Sequence, residues 1–312
     1  MKQLYLDCQY GISGDMTLSA LIDLGADLAY ITEHLKELPI DPFSISVKRV
    51  DKRGISSNLL DLQFSAAELV VAGVNADAGH HHDHEEEGHS HHHAHSHQGH
   101  SHSQDHSSHS HGHSDSDGHS HDHEHSSHSH EHSHDHLHTH HHHHEHRKAS
   151  TILEMIRTSD LPARVKDRSQ RVFEVIAEAE GKIHGMDPKE VHFHEVGAMD
   201  SIIDIIGVCL ALESLEIDRI TASPVPTGHG KVKMAHGLYP IPAPATAEIL
   251  RGVPLEDFHV RGELTTPTGA GFLKALADDY GYMPARAIDR IGYGAGQKDF
   301  EHPNVLRAIL FE

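Results

Sequence analysis

Hydrophobic and polar positions along this chain follow two periods, one typical of strands and one typical of helices. Alternation of apolar and polar side chains, or short apolar runs, predicts strands at residues 2–8, 43–50, 58–64, 220–225 and 305–311. Apolar side chains at helical spacing predict helices at residues 16–24, 27–38, 147–158, 163–184, 199–215, 245–251 and 269–280. The sequence therefore predicts a mixed α/β fold.

One long internal stretch breaks both periods. Residues 80–146 hold 32 of the 40 histidines and 12 acidic residues, but no Lys or Arg, and Ala94 and Leu137 are their only apolar side chains. Such a segment has too little apolar surface to bury to offset the conformational entropy that it would lose on folding, so we expect it to be disordered. The chain then divides into a small α/β unit (residues 1–75), a disordered His-rich tract (76–146) and a larger helical and α/β body (147–312).

The His-rich tract has the composition of a metal-binding segment. It repeats His-Ser-His, His-Asp-His and His-Glu-His and ends in His140, His141, His142, His143 and His144. Imidazoles with a pKa of about 6.5 are mostly neutral in the cytoplasm, and this ligand set suits Ni, Zn, Co and Cu(II). A purification tag and a solvated linker are the alternatives, but a tag would be terminal and uninterrupted. We interpret the tract as a metal reservoir and expect catalysis elsewhere.

Charge and cysteine content exclude several classes of function. The net charge is −22, and the basic residues are scattered rather than clustered, so nucleic acid and anionic membranes are not expected partners. Cys8 and Cys209 fit free thiols in a reducing compartment. The N-terminus lacks the pattern of a signal peptide, and no apolar run is long enough to span a bilayer. We expect a cytoplasmic protein.

Two histidines and an acidic helix start form the first candidate site. If residues 191–196 are extended, His192 and His194 leave the same face, and Glu195 points the other way. Asp200 and Asp204 then fall one turn apart at the start of a helix. Imidazoles and carboxylates that converge in this way suit a divalent metal or a proton-transfer site. The alternative is that the histidines are structural and Asp200 only caps the helix.

The N-terminal strand leads into a turn with the layout of an anion site. Gly11, Ser13 and Gly14 lie between a buried strand and a helix, where backbone N–H groups can hold a phosphate. Asp7 and Asp15 flank this turn, and they could instead hold a metal ion. A tight turn with an ordinary helix cap is the alternative.

Two later segments could meet an anionic small molecule. Lys231, Lys233 and His236 lie in a Gly-rich stretch, residues 226–237, which we interpret as a mobile cationic loop. Thr266 and Thr268 precede or begin a helix and could bind a phosphate there, with ordinary capping as the alternative.

Together these segments resemble a known family. Residues 7–16 (DCQYGISGDM), the internal His-rich tract, residues 192–204 (HFHEVGAMDSIID), 235–246 (AHGLYPIPAPAT) and 263–270 (ELTTPTGA) are similar to the successive signatures of the LarC family of nickel insertion proteins. Five matches in the right order cover nearly the whole chain, which is far more specific than any one of them.

The resemblance implies a reaction that residue spacing does not reveal. Members of the family act as nickel chelatases (cyclometallases) that insert Ni(II) into pyridinium-3,5-bisthiocarboxylic acid mononucleotide. One carbon–nickel and two sulfur–nickel bonds form, CTP is cleaved to CMP and pyrophosphate, and Mn(II) or Mg(II) assists. The product serves lactate racemase and related enzymes.

For this chain, the resemblance implies that the His-rich tract supplies nickel to an ordered site at His192, His194 and Glu195, with Asp200 beside it. Lys231, Lys233 and His236 would meet a phosphate or carboxylate of the substrates. Full-length members continue into a C-terminal portion associated with nucleotide binding and oligomer formation. We therefore expect this chain to be the N-terminal part, and a homo-oligomer when full length.

Two other functions remain open at the level of sequence. The first is a nickel metallochaperone or storage protein without catalysis. The second is a metal-dependent hydrolase in which His192, His194 and Asp200 surround an activated water.

Overall fold

The computed structural model describes residues 1–64, 147–193, 199–234 and 237–312. The strands are β1 (Gln3–Asp7), β2 (Phe43–Lys52), β3 (Ile55–Phe64), β4 (Arg219–Ala222), β5 (Gly228–His229), β6 (Lys231–Met234), β7 (Gly237–Pro240), β8 (Gly262–Glu263), β9 (Asp279–Tyr280), β10 (Arg290–Ala295) and β11 (Val305–Phe311). The helices are α1 (Gly14–Leu24), α2 (Leu28–Lys36), α3 (Ala149–Thr158), α4 (Ala163–His184), α5 (Met199–Ser214), α6 (Pro244–Ile249) and α7 (Pro267–Leu276), with a short 3₁₀ turn at Pro188–Glu190. The mixed α/β prediction is confirmed.

A seven-stranded mixed sheet organises these elements in the order β2-β3-β10-β11-β1-β4-β9. Strand β1 pairs antiparallel with β11, the central strand, and parallel with β4, and β10 pairs antiparallel with β11 and parallel with β3. Strand β1, which precedes the His-rich tract, therefore lies between strands that follow the tract, and β3 pairs with β10 across the same division. The segments 1–64 and 147–312 build one sheet.

Helix α1 lies directly on β10, because the strand presents glycines to it. A Cβ atom added to Gly294 would lie 1.9 Å from the carbonyl oxygen of Met16, and one added to Gly292 would lie 2.2 Å from that of Ala20. Glycine is the residue that allows a helix backbone to approach a strand so closely. The glycine-rich run near residue 292 thus fixes the position of α1.

The second helical layer packs on α1. Helix α5 contacts α1, α2 and α4, and its Gly207 receives the side chain of Leu18. Helix α4 in turn contacts α3, α6 and α7. The two cysteines, Cys8 and Cys209, are free, as predicted, and are buried in this core. In the parts of the chain that the structure describes, no helix is both long and apolar enough to cross a bilayer.

We interpreted residues 226–237 as a mobile loop, but the described part of this segment, residues 226–234 and 237, contains short strands. Strand β5 pairs with β8, and β6 and β7 form an antiparallel hairpin in which Lys231 faces Pro240. Alternation over Lys231–Met234 favours an extended strand, and the density of glycines in the sequence obscured it. Gly230, with φ of 108°, and Gly237, with φ of 133°, supply backbone angles that other residues rarely adopt.

Candidate functional site

A cavity of about 720 Å³ lies where three helices begin. Seven of the residues singled out from the sequence line it: Ser13, Gly14, Asp15, Asp200, Asp204, Thr266 and Thr268. They come from α1, α5 and α7 and from the residues just before those helices. The structure therefore brings together side chains from three sequence motifs that are far apart along the chain.

The turn after β1 joins two of these helix starts. The amide of Ile12 donates to the carbonyl of Leu264 at 3.0 Å, and the amide of Thr266 donates to the carbonyl of Ile12 at 3.1 Å. Gly11, with φ of 100°, makes this contact possible, since a Cβ atom there would lie 2.0 Å from the Leu264 oxygen. Gly11 therefore shapes the site without lining the cavity.

Hydroxyl groups at the two helix starts are already engaged. Ser13 donates its hydroxyl to Asp15 Oδ1, which also accepts from the amide of Met16 at 2.9 Å. Thr266 caps α7, since its Oγ1 accepts from the amide of Gly269 at 3.2 Å. For the Thr266 hydroxyl the structure thus shows the ordinary cap that the sequence left open as an alternative.

The cavity is strongly acidic in the part of its wall that the structure describes. The charged groups there are the carboxyls of Asp15, Asp61, Asp200, Asp204 and Glu263 and the ammonium of Lys48. Lys48 forms an ion pair with Asp61, so its charge is already matched. A wall of this sign repels a free anion and attracts a cation, or an anion that carries one.

Two of these carboxyls, Asp204 and Glu263, have raised pKa values. Burial raises the pKa of Asp204 well above its ordinary value, and the carboxylates of Asp15 and Asp200 raise it further. Burial also raises the pKa of Glu263, while nearby Lys298 lowers it by a smaller amount. Desolvation and like charge both favour the neutral acid, which is the pattern found at functional sites as well as at structural clusters.

Sequence reasoning gave no role to several residues of this wall. Asp204 is not one of them, because its position one helical turn after Asp200 already placed it in the first candidate site. Glu263 begins the motif that contains Thr266. Lys48 on β2 and Asp61 on β3 form a diagonal ion pair across two ordinary alternating strands, and nothing in their local pattern pointed to a site.

Other predicted residues lie away from this cavity. Asp7 is buried and accepts a hydrogen bond at 2.8 Å from Nε of Arg307, on the neighbouring strand. Lys231 and Lys233 are exposed on β6. His192 is exposed and forms an isolated β-bridge with Lys148. The hydrolase hypothesis needs His192 and Asp200 around one water, but of the two only Asp200 lines the cavity.

The remaining predicted residues fall outside the described part of the chain. They are His194, Glu195, His236, His140, His141, His142, His143 and His144. Within residues 1–64, 147–193, 199–234 and 237–312, no three His, Cys, Asp or Glu side chains are arranged to hold a metal ion by themselves. Any ion in the acidic cavity would therefore need further ligands.

Comparison with known proteins gives consistent matches along the whole chain. The family model described as "Nickel insertion protein" matches residues 4–312. A pyridinium-3,5-bisthiocarboxylic acid mononucleotide nickel insertion protein of Staphylococcus saprophyticus is 47% identical over 99% of this chain and 59% of its own length. Proteins of the same name from Staphylococcus epidermidis and Geobacillus kaustophilus are 44% and 39% identical over 100% of this chain.

The match is partial on the side of the relatives. This chain spans about 60% of the length of the proteins from Staphylococcus epidermidis and Geobacillus kaustophilus. No solved structure matches it. A family model that matches residues 4–312 nevertheless covers almost all of this chain. The chain therefore belongs to the LarC family of nickel insertion proteins.

Proposed function

We propose that this chain takes part in inserting Ni(II) into pyridinium-3,5-bisthiocarboxylic acid mononucleotide, together with the portion that its relatives have in addition. The observation that carries the proposal is the family match over residues 4–312, with relatives at 39–47% identity that bear this activity in their names. CTP as a co-substrate and Mn(II) or Mg(II) as an assisting ion are part of the proposal. So is delivery of the nickel-pincer product to a lactate racemase-type apoenzyme.

In this proposal the acidic cavity receives the organic acceptor. Its volume of about 720 Å³ lies within the usual range for small-molecule sites. Helices α1 and α7 begin at this cavity, and the positive end of a helix dipole suits a phosphate or carboxylate group. The oxygen ligands of its wall suit a hard ion such as Mg(II) or Mn(II), which would bridge the acidic wall and an anionic substrate.

Nickel, the metal substrate, follows a separate route in the proposal. The His-rich tract binds the nickel first, and His192, His194 and Glu195 then transfer it to the cavity, which Asp200 lines. This route is supported by chemistry and chain position, because imidazole is a ligand of choice for Ni(II) and Asp200 follows Glu195 by only five residues. Lys231, Lys233 and His236 would contact an anionic group of a substrate as it binds.

The test is reconstitution with defined components. The chain is mixed with Ni(II), CTP, Mn(II) and the nickel-free mononucleotide, with and without the additional portion of a full-length relative. We expect CMP and a nickelated product by mass spectrometry, at least when that portion is present. Absence of product with an intact full-length protein would overturn the proposal.

A variant pair tests the route of the nickel. Replacing His192 and His194 by alanine should lower the yield of nickelated product strongly, because the transfer ligands are lost. His259→Ala is the matched control, since His259 is an exposed histidine outside the tract, with 83% of its side chain accessible. Equal yields from the double variant and the control would remove the transfer role.

A nickel metallochaperone or storage protein without catalysis is the second candidate. It is favoured by the concentration of 32 of the 40 histidines within residues 80–146. Under this alternative, deleting residues 80–146 abolishes function even when nickel is abundant. Under the insertion proposal, the same deletion matters only when nickel is scarce. Cofactor maturation measured across a nickel series separates the two.

A further inference from the structure

Three aromatic rings contact the imidazole of His302. It stacks on Phe300 with ring centroids 5.0 Å apart and 9° between the ring planes, and on Tyr10 at 5.1 Å and 29°. Phe258 meets it edge-on, with centroids 5.0 Å apart. Phe258 and Tyr10 also contact each other at 5.5 Å. These four side chains, all of them half-buried, form a set of contacts that we call the aromatic clasp.

The aromatic clasp joins three segments that reach the cavity. Its members lie in the turn between β1 and α1, in the segment between α6 and β8, and in the loop between β10 and β11. These segments contain or lead directly into the cavity residues Ser13, Glu263 and Gln297. Phe300 also packs on the start of β8, where a Cβ atom added to Gly262 would lie 2.8 Å from its ring. The clasp therefore connects three parts of the chain that build the cavity wall.

The surroundings of His302 suit the neutral imidazole. Its Nε2 atom is closed to solvent and has no hydrogen-bond partner in the described part of the chain. An imidazolium carries N–H groups on both ring nitrogens, so protonation would leave a buried donor without an acceptor. Burial accordingly lowers the pKa of His302 below its ordinary value. Attraction between a protonated ring and the neighbouring aromatic rings offsets this cost only in part.

Charged groups near the clasp do not favour a protonated His302. Asp299 forms an ion pair with Lys52 at 2.6 Å. Asp257 forms one with His259 at 2.8 Å. The other titratable side chains on the three segments and on the strands beside them are those of Asp7, Cys8, Asp51, Arg53, His229, Arg251, Glu256, Arg261, Glu263, Lys298 and Glu301. Burial alone shifts the pKa of His302, so no described carboxylate stabilises its charged form.

We infer that the aromatic clasp is a pH-sensitive device, closed while His302 is neutral and opened when the imidazole takes up a proton. Opening lets Nε2 reach water, and the three segments then lose their shared contact, so the cavity wall that they build loosens. His302 is a positioning residue in this inference, because it acts on the cavity through Tyr10 and Phe300. The inference rests on the ring contacts and on the cavity wall, and it holds whether or not the chain inserts nickel.

Proton linkage gives the direction and the limit of the effect. In the open state the imidazole has an ordinary pKa of about 6.5, and in the closed clasp its pKa is lower. The closed state therefore binds fewer protons, and its advantage is lost as the pH falls below about 6.5. Between pH 7.5 and pH 5 the open fraction should rise severalfold, up to a limit of about thirtyfold.

Amide hydrogen exchange of the full chain in metal-free buffer, followed by mass spectrometry, measures this opening. Each rate is divided by that of an unprotected amide at the same pH. We expect the corrected rates in residues 9–15, 256–263 and 296–304 to rise severalfold from pH 7.5 to pH 5. His302→Phe keeps a stacking ring but cannot gain a proton, so its rates should stay low at both pH values. His302→Ala lacks the clasp and should exchange fast at both.

The matched control is His34→Phe, because His34 is a half-buried histidine that contacts the ring of Tyr30, at 4.2 Å, on α2. It should keep the wild-type rise. Corrected rates in wild type that do not change with pH would overturn the inference, and so would an equal rise in His302→Phe. If His302→Ala does not fold, Tyr10→Leu removes one stacking partner and should speed exchange in residues 256–263 and 296–304 at pH 7.5. Unchanged rates there would show that the rings do not couple the segments.

Discussion

The ion pair between Asp7 and Arg307 joins two central strands, β1 and β11. Asp7 is 7% exposed at its side chain, and Arg307 is 36% exposed. The second oxygen of Asp7, Oδ1, is buried and has no hydrogen-bond partner. The guanidinium of Arg307 is therefore the main group that stabilises the buried charge of Asp7. Its removal should leave a buried charge without a partner, which destabilises the folded state.

We expect Arg307→Met to lower the free energy of unfolding by about 1–3 kcal/mol, because the Asp7 carboxylate loses a charged partner. Urea denaturation at neutral pH measures this loss. The double variant with Asp7→Asn should lose less than the sum of the two single variants, since it leaves no unpaired charge. A change in Arg307→Met of less than about 0.5 kcal/mol, typical of a surface substitution, would contradict the account.

Glu263 provides a prediction about pH. Its pKa in the folded protein is raised above the ordinary value of 4.5, chiefly by burial. Between 4.5 and that raised value the folded state binds more protons than the unfolded state, so stability falls as pH rises through this window. Glu263→Gln removes the titration. We therefore expect Glu263→Gln to gain stability relative to wild type as the pH of urea denaturation is raised from 4 to 7.5.

The control for this measurement is Glu154→Gln. Glu154 is exposed on α3, and its neighbour Arg157 lowers its pKa, so its replacement should give no such gain as pH rises. If the Glu263→Gln difference from wild type stays constant or shrinks with rising pH, burial of that carboxyl does not oppose its ionisation.

At the scale of single residues, the sequence predicted which types of group lie at the site but not which groups they contact. Ser13, Asp15 and Asp200 were recognised because motif position and helix starts are local signals. The ion pair between Asp7 and Arg307 could not be predicted from the sequence, because 300 residues separate the two and only the sheet register brings them together. The position of Asp204 one helical turn after Asp200 was predicted from the sequence, but its packing against Gly14 was not.

At the scale of elements, the contact between helix α1 and strand β10 positions α1, whose first turn lines the cavity. The Met16 and Ala20 carbonyls of α1 stand over Gly294 and Gly292, where a side chain has no room. We expect Gly294→Ala to destabilise the protein by at least about 2 kcal/mol, because a methyl group would overpack this contact. Ile291→Ala on the same strand is the control, since Ile291 is 39% exposed, and its loss should cost about 1 kcal/mol or less.

Both variants are compared by urea denaturation, and the cavity is monitored through Mn²⁺ binding. Gly294→Ala should also weaken Mn²⁺ binding, because displacement of α1 moves Gly14 and Asp15. Equal stability of the two variants would show that α1 does not depend on the glycine contact.

Elements with strong periodicity were predictable. The helix at Ala163–His184 and the strand at Val305–Phe311 have the bounds that the apolar pattern gives. The hairpin of β6 and β7 was missed because its strands are four residues long and lie among glycines. Cavity formation could not be predicted, since it depends on three helix starts that converge only through the pairing order of the sheet.

At the scale of the whole molecule, the described core lies in sequence on both sides of the His-rich tract. Strands β1, β2 and β3 come before it, and β10, β11 and β4 follow it in the same sheet. The sequence predicted separate segments from composition, but local composition carries no information on which strands become neighbours. Residues 80–146 contain only two apolar side chains, Ala94 and Leu137, so we expect them to be dispensable for folding.

Nickel loading should then respond to pH through the tract and not through the body. Each imidazole must be neutral to bind nickel, and its pKa of about 6.5 means that most are protonated at pH 5. We expect the full chain to retain many nickel ions per molecule at pH 7.5 and to release most of them below about pH 6. Equilibrium dialysis with metal analysis measures the release, and circular dichroism at each pH checks that the fold persists.

The chain without residues 80–146 should show no such pH-dependent step, because it keeps only 8 of the 40 histidines. Retention at pH 5 equal to that at pH 7.5 would mean that groups other than imidazole hold the nickel.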